Sequence, residues 1–337
     1  MSKLEELLKF HNERLSRELA SRTTSAIVVE STLTAVVALC ASLGNMLVCS
    51  TIARNPRLHT PTNVLIFALA MTDVTMSLAT MPITIGVLIS GRWIYSKEVC
   101  LFQGSFPLTL AASSLLLMVV IAVNRYLCVV KPNLYRQVFT TKKSIGFAIG
   151  ALCLASVPCL SPLFYAREGY QFHPGKAYCA FAMEQNPIFA ICMGLSLIIT
   201  PFIIMSFLYL RIYCSVRNAV FPQGNSNAES QRTTHVQEVK VTKTLAAVLL
   251  GFSCCWFPIV AIDQIDMSNG VPILPRRVYY LYGLLIYTSS AINPVLYGLM
   301  NRSFSRQNTN ESSLARLRLK AFHAANLKLY LCTSKII

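Results

Sequence analysis

Long apolar runs separated by short polar stretches dominate the chain. Seven such runs occur at 27–51, 63–89, 98–129, 144–165, 187–213, 239–264 and 278–300. A helix needs about 20 mainly apolar residues to cross a bilayer, and only helices and closed barrels satisfy their backbone hydrogen bonds in lipid. The runs are longer than the roughly 10-residue strands of a membrane barrel. The pattern therefore predicts an all-α bundle of seven transmembrane helices.

The polar segments divide the chain into three predicted parts. Residues 1–26 form a polar N-terminal tail in which no cleavable signal peptide is expected. Its leucines keep a roughly helical spacing, so an amphipathic helix and a loosely ordered tail remain equally open. Residues 27–300 contain the seven runs, with a polar, Gly-, Asn- and Ser-rich loop predicted near 214–238. Residues 301–337 form a basic C-terminal segment.

Composition and charge support a membrane location. Hydrophobic residues make up 54% of the chain and charged residues 13%, which is about half the charged fraction of a soluble domain. With the N-terminus outside, the inner segments hold 19 of the 30 Lys and Arg residues and three acidic ones, whereas the outer segments hold 11 basic and 10 acidic residues. This positive-inside distribution orients the chain. The basic inner face is expected to contact anionic lipid rather than nucleic acid.

Few polar side chains lie deep in the apolar runs, where burying a charge costs about 2.5–3.5 kcal/mol. Asp73 is the only acidic residue deep in a run. Neutral oxygens are expected at a similar depth from Asn45, Ser114, Ser289 and Asn293. One carboxylate with several neutral oxygens suits a hard cation. A hydrogen-bonded polar core explains the same residues equally well.

The third run ends in Asn124, Arg125 and Tyr126, which places a guanidinium at the predicted membrane edge. Glu238, at the start of the sixth run, is a candidate partner for Arg125. An ion pair between these two helices would form a two-state element of the kind that a switch needs. The alternative is an interfacial Arg125 whose charged end reaches the lipid headgroups.

Three prolines lie inside predicted spans, at Pro201, Pro258 and Pro294, and each is expected to kink or loosen its helix.

Two of the 12 cysteines, Cys100 and Cys179, lie on predicted outer segments. Because that compartment is oxidising, a disulfide between them is expected.

No nucleophile–base set, phosphate-binding loop or His/Cys metal spacing appears, so an enzyme is not expected. A transporter is a less favoured alternative, because the chain has one deep acid and no internal repeat.

The ordered motifs resemble those of class A, rhodopsin-like G-protein-coupled receptors over roughly residues 30–308. In chain order they are Gly44–Asn45, Leu69–Asp73, Trp93, Cys100 with Cys179, Asn124–Tyr126, Pro201 with Tyr209, Phe252–Pro258 and Asn293–Tyr297. The resemblance implies a receptor in the plasma membrane that binds an extracellular ligand and promotes nucleotide exchange on a heterotrimeric G protein. A receptor-shaped partner that does not signal is the alternative.

The resemblance also implies roles for individual residues. Asp73, Ser114, Asn45, Ser289 and Asn293 would form an allosteric sodium site. Phe252 and Trp256 would sense the ligand, and Pro201, Pro258, Asn293 and Pro294 would belong to the activation core. Arg125, Tyr209 and Tyr297 would rearrange to open the inner cavity, and residues 301–307 would form a short amphipathic eighth helix.

The sequence departs from the family pattern in ways that affect these expectations. Asn124 stands where the family has an acid before the switch arginine, which is expected to raise basal activity unless Glu238 restrains Arg125. The fourth run lacks its usual tryptophan.

Comparison with ligand-binding positions of the family limits the ligand class. Pro107 stands where amine receptors carry their acid, so no salt bridge to a ligand ammonium is expected there and an amine ligand is disfavoured. Tyr287 stands where opsins carry the lysine that binds retinal, so no retinal or other covalent cofactor is expected. A weaker resemblance to melatonin-type receptors involves Asn124–Tyr126 and the segment Gly169–Phe181. Lipid, nucleoside and peptide ligands remain alternatives. By family position, the pocket walls are Gln103, Pro107, Cys179, Asp263, Gln264 and Tyr287.

Overall fold

The computed structural model describes residues 3–165, 169–220 and 228–300, with no side-chain detail for 165, 216–220, 228–246, 248 and 295–300. Its α-helices and β-strands are α1 (Lys3–Ala20), α2 (Thr24–Arg54), α3 (Pro61–Ala79), α4 (Met81–Ser90), α5 (Lys97–Val130), α6 (Pro132–Val138), α7 (Thr141–Leu160), α8 (Pro162–Tyr165), β1 (Tyr170–His173), β2 (Tyr178–Phe181), α9 (Pro187–Met193), α10 (Thr200–Val220), α11 (Ala228–Asn269) and α12 (Arg276–Met300). Short 3₁₀ turns occur at Pro56–Leu58 and Met183–Gln185, and a π-helical turn at Gly194–Ile199 joins α9 to α10.

Six helical spans among the described residues are long and apolar enough to cross a membrane: Thr24–Arg54, Pro61–Ser90, Lys97–Val130, Thr141–Phe164, Pro187–Ser215 and Leu249–Asn269. With α12, the last long helix, they correspond to the seven predicted runs. Many of their leucine, isoleucine and phenylalanine side chains are exposed on the outside of the bundle. In a spanning helix those side chains contact lipid, so their exposure fits the apolar composition.

Prolines explain where two of the spans are interrupted. The second span divides into α3 and α4 at Thr80, because Pro82 has no backbone N–H and its ring clashes with the preceding turn. Thr80 accommodates the break by donating its hydroxyl to the carbonyl oxygen of Met76 at 2.8 Å. In the fifth span, the π-helical turn ends just before Pro201, as expected where a helix widens to avoid a proline ring.

The third span, α5, is the central helix of the bundle and packs against α3, α7, α10 and the β1–β2 hairpin. Its side chains Leu115, Leu117 and Ile121 are fully buried, together with Met205 of α10 and Phe252 of α11. Cys100 near its start is disulfide-bonded to Cys179 of β2. We call this end of the bundle the disulfide end and the opposite one the Arg125 end. The 25 residues between Cys100 and Arg125 extend about 37 Å.

The polar segment 1–26 contains an amphipathic helix, so the helical alternative is confirmed for residues 3–20. Leu15 and Leu19 of α1 are fully buried, whereas Leu4 and Phe10 are exposed. Side-chain donors of Arg14 bind the carbonyl oxygens of Ile273 and Leu274 at 3.1 and 2.9 Å, just before α12. The N-terminal helix is therefore docked on the disulfide end.

The predicted loop at 214–238 is shorter than expected. Helix α10 continues to Val220 and α11 begins at Ala228, leaving residues 221–227 outside the described part of the chain. The prediction was wrong because it ended each helix where apolar residues end. Hydropathy marks the boundary of the bilayer, and a helix can continue beyond it into water. The predicted eighth helix, at 301–307, also lies outside the described residues.

Gly44 allows the first and last spans to approach closely. A Cβ atom added to Gly44 would lie 2.9 Å from both Cβ and Cγ of Pro294. We expect Gly44→Ala to lower the free energy of unfolding by about 1–3 kcal/mol, because the proline ring cannot move away without shifting α12. Gly150→Ala is the matched control, since no atom lies within 4 Å of a Cβ there. Equal thermal unfolding temperatures for the two purified variants would contradict the expected steric conflict.

Candidate ligand pocket and polar core

A cavity of about 140 Å³ lies between the β1–β2 hairpin and the middle of the bundle, lined by α5, the hairpin, the α9–α10 junction, α11 and α12. Five of the six residues assigned to the pocket walls by family position lie along it: Gln103, Pro107, Asp263, Gln264 and Tyr287. Cys179 does not line it, because its sulfur is bonded to Cys100. Most other lining residues are apolar, including Leu108, Ala111 and Leu197. The cavity therefore suits a largely apolar molecule.

Two of the polar wall residues use their polar atoms to hold the structure together. Gln103 donates from Nε2 to the hydroxyl of Thr84 at 3.0 Å, and its Oε1 accepts the backbone N–H of Cys179 at 3.2 Å. The hydroxyls of Tyr287 and Thr84 are 2.7 Å apart. Gln103 and Tyr287 consequently connect α5, α4, α12 and the hairpin.

A lysine from the hairpin turn reaches into the cavity. Nζ of Lys176 lies 3.7 Å from Oδ1 of Asp263 and 3.9 Å from the centroid of the Tyr282 ring. The hydroxyl of Tyr282 donates to Oδ2 of the same carboxylate at 3.1 Å. The Lys176 side chain is only 8% exposed, whereas that of Asp263 is 25% exposed. A buried ammonium, a carboxylate and an aromatic face thus meet at one side of the cavity.

Neither the hairpin nor the position of Lys176 in the cavity was predicted from the sequence. The one signal available was the position of Lys176 three residues before Cys179. The disulfide holds Cys179 with its Cα 5.3 Å from that of Cys100, so nearby residues must lie over the bundle. Which side chain enters the cavity depends on the strand register, in which His173 is paired with Tyr178.

The turn that presents Lys176 is tightly held. The backbone N–H of Lys176 donates to Nδ1 of His173 at 3.2 Å. Burial, and secondarily the nearby charge of Lys176, lower the pKa of His173 well below its ordinary value, so Nδ1 can accept this hydrogen bond at neutral pH. A Cβ atom on Gly175 would lie 2.7 Å from the ring of Tyr279, so only glycine fits there without movement.

Trp256 forms the floor of the cavity. Its side chain is buried, and Nε1 has no hydrogen-bond partner among the described residues. Phe252, one helical turn away on α11, is almost completely buried in the main core. Any group that enters the cavity therefore meets an indole that packs directly against the interior of the bundle.

A second group of buried polar residues lies in the core, around Asp73. Nδ2 of Asn293 donates to Oδ2 of Asp73 at 2.8 Å. Asn45 instead donates to the carbonyl oxygen of Ser290 at 3.0 Å. The structure thus joins α3 to α12 and α2 to α12 through buried polar contacts.

Like Asn45, the two serines predicted for a sodium site have hydrogen-bond partners outside the predicted set. The hydroxyls of Ser114 and Thr72 are 2.9 Å apart, and the hydroxyl of Ser289 donates to the carbonyl oxygen of Ile286 at 2.7 Å. Ser290, which sequence reasoning did not include, provides a hydroxyl to Asp73. Oδ1 of Asn45 and Oδ1 of Asn293 are buried and lack a partner among the described residues. Unpaired acceptor oxygens near a carboxylate match the ligand preference of a hard cation.

Arg125 is buried at its own end of the bundle and is 7% exposed. Its guanidinium donates to the hydroxyl of Thr62 and to Oδ1 of Asn124, the latter from Nε at 3.3 Å. The hydroxyl of Thr62 also donates to Oδ1 of Asn124 at 2.7 Å. In this conformation Arg125 points toward α3, contrary to the alternative in which it reaches the lipid headgroups.

The other residues predicted for the switch are only partly described. Tyr126 and Tyr209 are half-buried and pack against the main core. Side-chain detail for Glu238 and Tyr297 lies outside the description, so the predicted Arg125–Glu238 pair stays a prediction.

Comparison with protein families gives one match that covers most of the chain. Residues 44–297 match the model of the 7 transmembrane receptor (rhodopsin family). The chain belongs to the rhodopsin family of seven-transmembrane receptors. The predicted fold class and the resemblance to class A receptors are therefore confirmed, as is the expectation that the protein is a receptor and not an enzyme. The predicted Cys100–Cys179 disulfide is present.

The names of this receptor's relatives refer to different classes of ligand. Adenosine receptor A3 of Ovis aries is 31% identical over 276 residues, which cover 80% of this chain and 84% of the relative. Histamine H2 receptor of Homo sapiens is 26% identical over 309 residues, covering 91% and 85%. Trace amine-associated receptor 13c of Danio rerio is 25% identical over 323 residues, covering 94% and 92%. The melatonin-type resemblance receives no specific support.

The receptor also has a buried charge cluster at its disulfide end. Glu30 of α2 accepts from Nη1 of Arg22 at 2.6 Å and from Nη1 of Arg276 at 3.1 Å, and Nη2 of Arg276 binds its other oxygen. Arg22 also donates to the carbonyl oxygen of Leu88 in α4, and Glu18 of α1 accepts the backbone N–H of Arg276. We call Arg22, Glu30 and Arg276 the charge triad. It connects the N-terminal segment with the first, second and seventh spans.

Proposed function

We propose that this receptor binds an extracellular small molecule in the cavity beneath the β1–β2 hairpin. In response, it promotes nucleotide exchange on a heterotrimeric G protein at the Arg125 end. The observation that carries the proposal is the cavity itself, which lies between the disulfide-anchored hairpin and Trp256. Because disulfides persist in oxidising compartments, we place the disulfide end outside the cell and the Arg125 end in the cytoplasm, in agreement with the positive-inside pattern.

The size and lining of the cavity favour a small ligand over a peptide or a lipid. A cavity of about 150 Å³ in another protein accommodates benzene, so a single ring fits the 140 Å³ found here. The three relatives named above are receptors for adenosine, histamine and a trace amine by name. We therefore propose a small molecule with an apolar body, without assigning it to one of those ligands.

G-protein dissociation in cells tests this function. We would measure it across the Gα families with adenosine, histamine and melatonin as probes. Ala111→Phe fills the cavity, and we expect it to lower the potency of an active probe by at least about tenfold, since even one displaced contact group commonly contributes 1–3 kcal/mol. Ala261→Phe, on the exposed face of α11, is the matched control and should respond like the wild type.

Two outcomes would count against the proposal. If an active probe works equally well on Ala111→Phe, the ligand binds elsewhere. If the wild-type receptor reaches the cell surface and stays silent toward every Gα family with and without each probe, the receptor-shaped partner becomes the better description.

We also propose that the polar core around Asp73 binds a sodium ion that stabilises the resting receptor. The support is the Asp73 carboxylate together with the unpaired Oδ1 atoms of Asn45 and Asn293. Sodium at a concentration about ten times its dissociation constant would add about 1.4 kcal/mol to the free energy of unfolding.

Replacing NaCl by KCl at equal concentration should therefore lower the thermal unfolding temperature of the purified wild-type receptor, and Asp73→Asn should abolish the difference. Asp263→Asn, the same chemical change outside the polar core, should leave the difference intact. A wild-type receptor that is equally stable in both salts would contradict the site.

A further inference from the structure

The ammonium of Lys176 is held in the cavity as the charged group of a ligand would be. It lies beside the carboxylate of Asp263, at 3.7 Å, and against the face of the Tyr282 ring, at 3.9 Å. The Tyr282 hydroxyl orients the carboxylate through its 3.1 Å hydrogen bond. A carboxylate next to an aromatic face is a common arrangement for binding an ammonium group, because both attract a cation.

The charges around this pair favour a cation over an anion. Asp266, buried on the same helix, accepts a hydrogen bond from the Tyr279 hydroxyl at 2.6 Å and interacts electrostatically with Lys176 and Asp263. Glu184 interacts electrostatically with Asp263 and Asp266. The carboxylates of Asp263 and Asp266 thus both act on the Lys176 ammonium, and the Glu184 carboxylate adds negative charge beside them. An anionic ligand would have to enter against that negative field, whereas a cation that replaces Lys176 preserves the balance of charge.

We propose that Asp263 and Tyr282 form an ammonium-binding subsite, that Lys176 occupies it in the free receptor, and that the ligand is a primary amine with an apolar body that displaces Lys176. This inference rests on the proposed function, because it assigns the ligand to the same cavity. The subsite lies on α11 and α12, so it does not need an acid at Pro107, where α5 offers none.

The structure gives the incoming amine a route to replace the lysine. Asp263 is about three times as exposed as Lys176, at 25% against 8% of each side chain, so a competing cation reaches the carboxylate before the lysine leaves. The four-carbon stem of Lys176 is flexible and starts from a turn between two strands. The apolar body of the ligand would then contact Leu108, Ala111 and Leu197, which line the same cavity.

Chemical rescue tests the subsite directly. Lys176→Ala removes the atoms of a propylammonium ion, so propylammonium is the probe and propan-1-ol is its uncharged control. We expect Lys176→Ala to lower the thermal unfolding temperature of the purified full-length receptor, because Asp263 loses its buried partner. Propylammonium should restore that temperature in a saturable manner, whereas propan-1-ol should not.

Two further proteins make the test specific. Wild-type receptor should respond much less to propylammonium, because Lys176 already fills the subsite. The double variant Lys176→Ala/Asp263→Asn should not respond at all. Equal shifts in all three proteins, or no shift in Lys176→Ala, would overturn the proposal. If Lys176→Ala is retained inside the cell, its surface level during growth with propylammonium becomes the measurement, and failure to recover would overturn the proposal in the same way.

The amine ligand class has its own test. 2-Phenylethylammonium combines a primary ammonium with an apolar ring, and we expect its dissociation constant to be at least about tenfold lower for Lys176→Ala than for the wild type, corresponding to about 1.4 kcal/mol of competition. Equal affinities of the wild type and Lys176→Ala would show that Lys176 does not occupy the site that binds the ligand's ammonium group. Since neither binding nor unfolding requires a G protein, ammonium rescue in a receptor that never signals would refute the proposed function alone. A ligand response that is insensitive to Lys176 and Asp263 would refute this inference alone.

Discussion

Arg125→Ala is expected to abolish G-protein activation while the receptor still reaches the cell surface. In the structure, the guanidinium donates hydrogen bonds to the hydroxyl of Thr62 and to Oδ1 of Asn124. Opening of the Arg125 end would release it to bind the G protein. Each hydrogen bond from a charged group contributes about 1.5–3 kcal/mol, so removing the guanidinium should slow nucleotide exchange by about 10- to 100-fold or more.

Guanine-nucleotide exchange in membranes with matched receptor levels measures this effect. Arg136→Ala is the control, because Arg136 is an exposed arginine of α6 at the same end. Asn124→Asp tests the opposite direction. A carboxylate holds Arg125 more strongly than an amide does, so basal exchange should fall by several-fold. Full exchange in Arg125→Ala, or higher basal exchange in Asn124→Asp, would refute the proposed switch.

Glu30→Ala is expected to cause the largest loss of stability of any single substitution proposed for this receptor. The substitution leaves Arg22 and Arg276 without their carboxylate, although their side chains are only 3% and 6% exposed. Removing one partner from a buried ion pair typically costs about 3–5 kcal/mol, because the remaining charge stays buried without compensation. The thermal unfolding temperature of the purified receptor and its surface level should both fall.

Two comparisons separate the charge triad from general effects of losing an acid. Glu13→Ala, at an exposed position of α1, should unfold like the wild type. Replacing all three members by apolar residues of similar size, as in Arg22→Met/Glu30→Leu/Arg276→Met, should recover much of the stability, since no charge is then left unpaired. If Glu30→Ala is as stable as Glu13→Ala, the triad does not hold the disulfide end together.

The parts of this fold that could be predicted are those that lipid imposes. The seven spans followed from hydropathy, because a backbone in a bilayer must be helical and its side chains must be apolar. The Cys100–Cys179 disulfide was predicted because the orientation of the chain places both cysteines in the oxidising compartment. Asp73 and Asn293 were predicted to share one polar core because burying each polar side chain without a partner would cost free energy. The structure brings these two side chains within hydrogen-bonding distance.

The parts that could not be predicted are set by tertiary packing outside the bilayer. Lys176 enters the cavity because of the register between β1 and β2. The 13 residues from Gly169 to Phe181 do not by themselves specify that register. Glu30 and Arg276 are 246 residues apart, and neither stands in a motif. Ser290, rather than Ser289, provides its hydroxyl to Asp73, because the face that each residue presents depends on the rotation of α12.

The charge triad also has a consequence for the order in which the protein can be assembled during synthesis. Glu30 and Arg276 are 246 residues apart, so at about 5–20 residues per second the ribosome reaches the arginine roughly 12–50 s after the glutamate. Arg22 is only eight residues from Glu30 and is already present when the first span enters the membrane. The Glu30 carboxylate can therefore pair with Arg22 as soon as the first span is inserted. It can pair with Arg276 only after the last span has been synthesised. Because the charge triad joins the first and last spans, it can be completed only in a full-length receptor. A chain truncated before Arg276 would keep only the pair between Arg22 and Glu30.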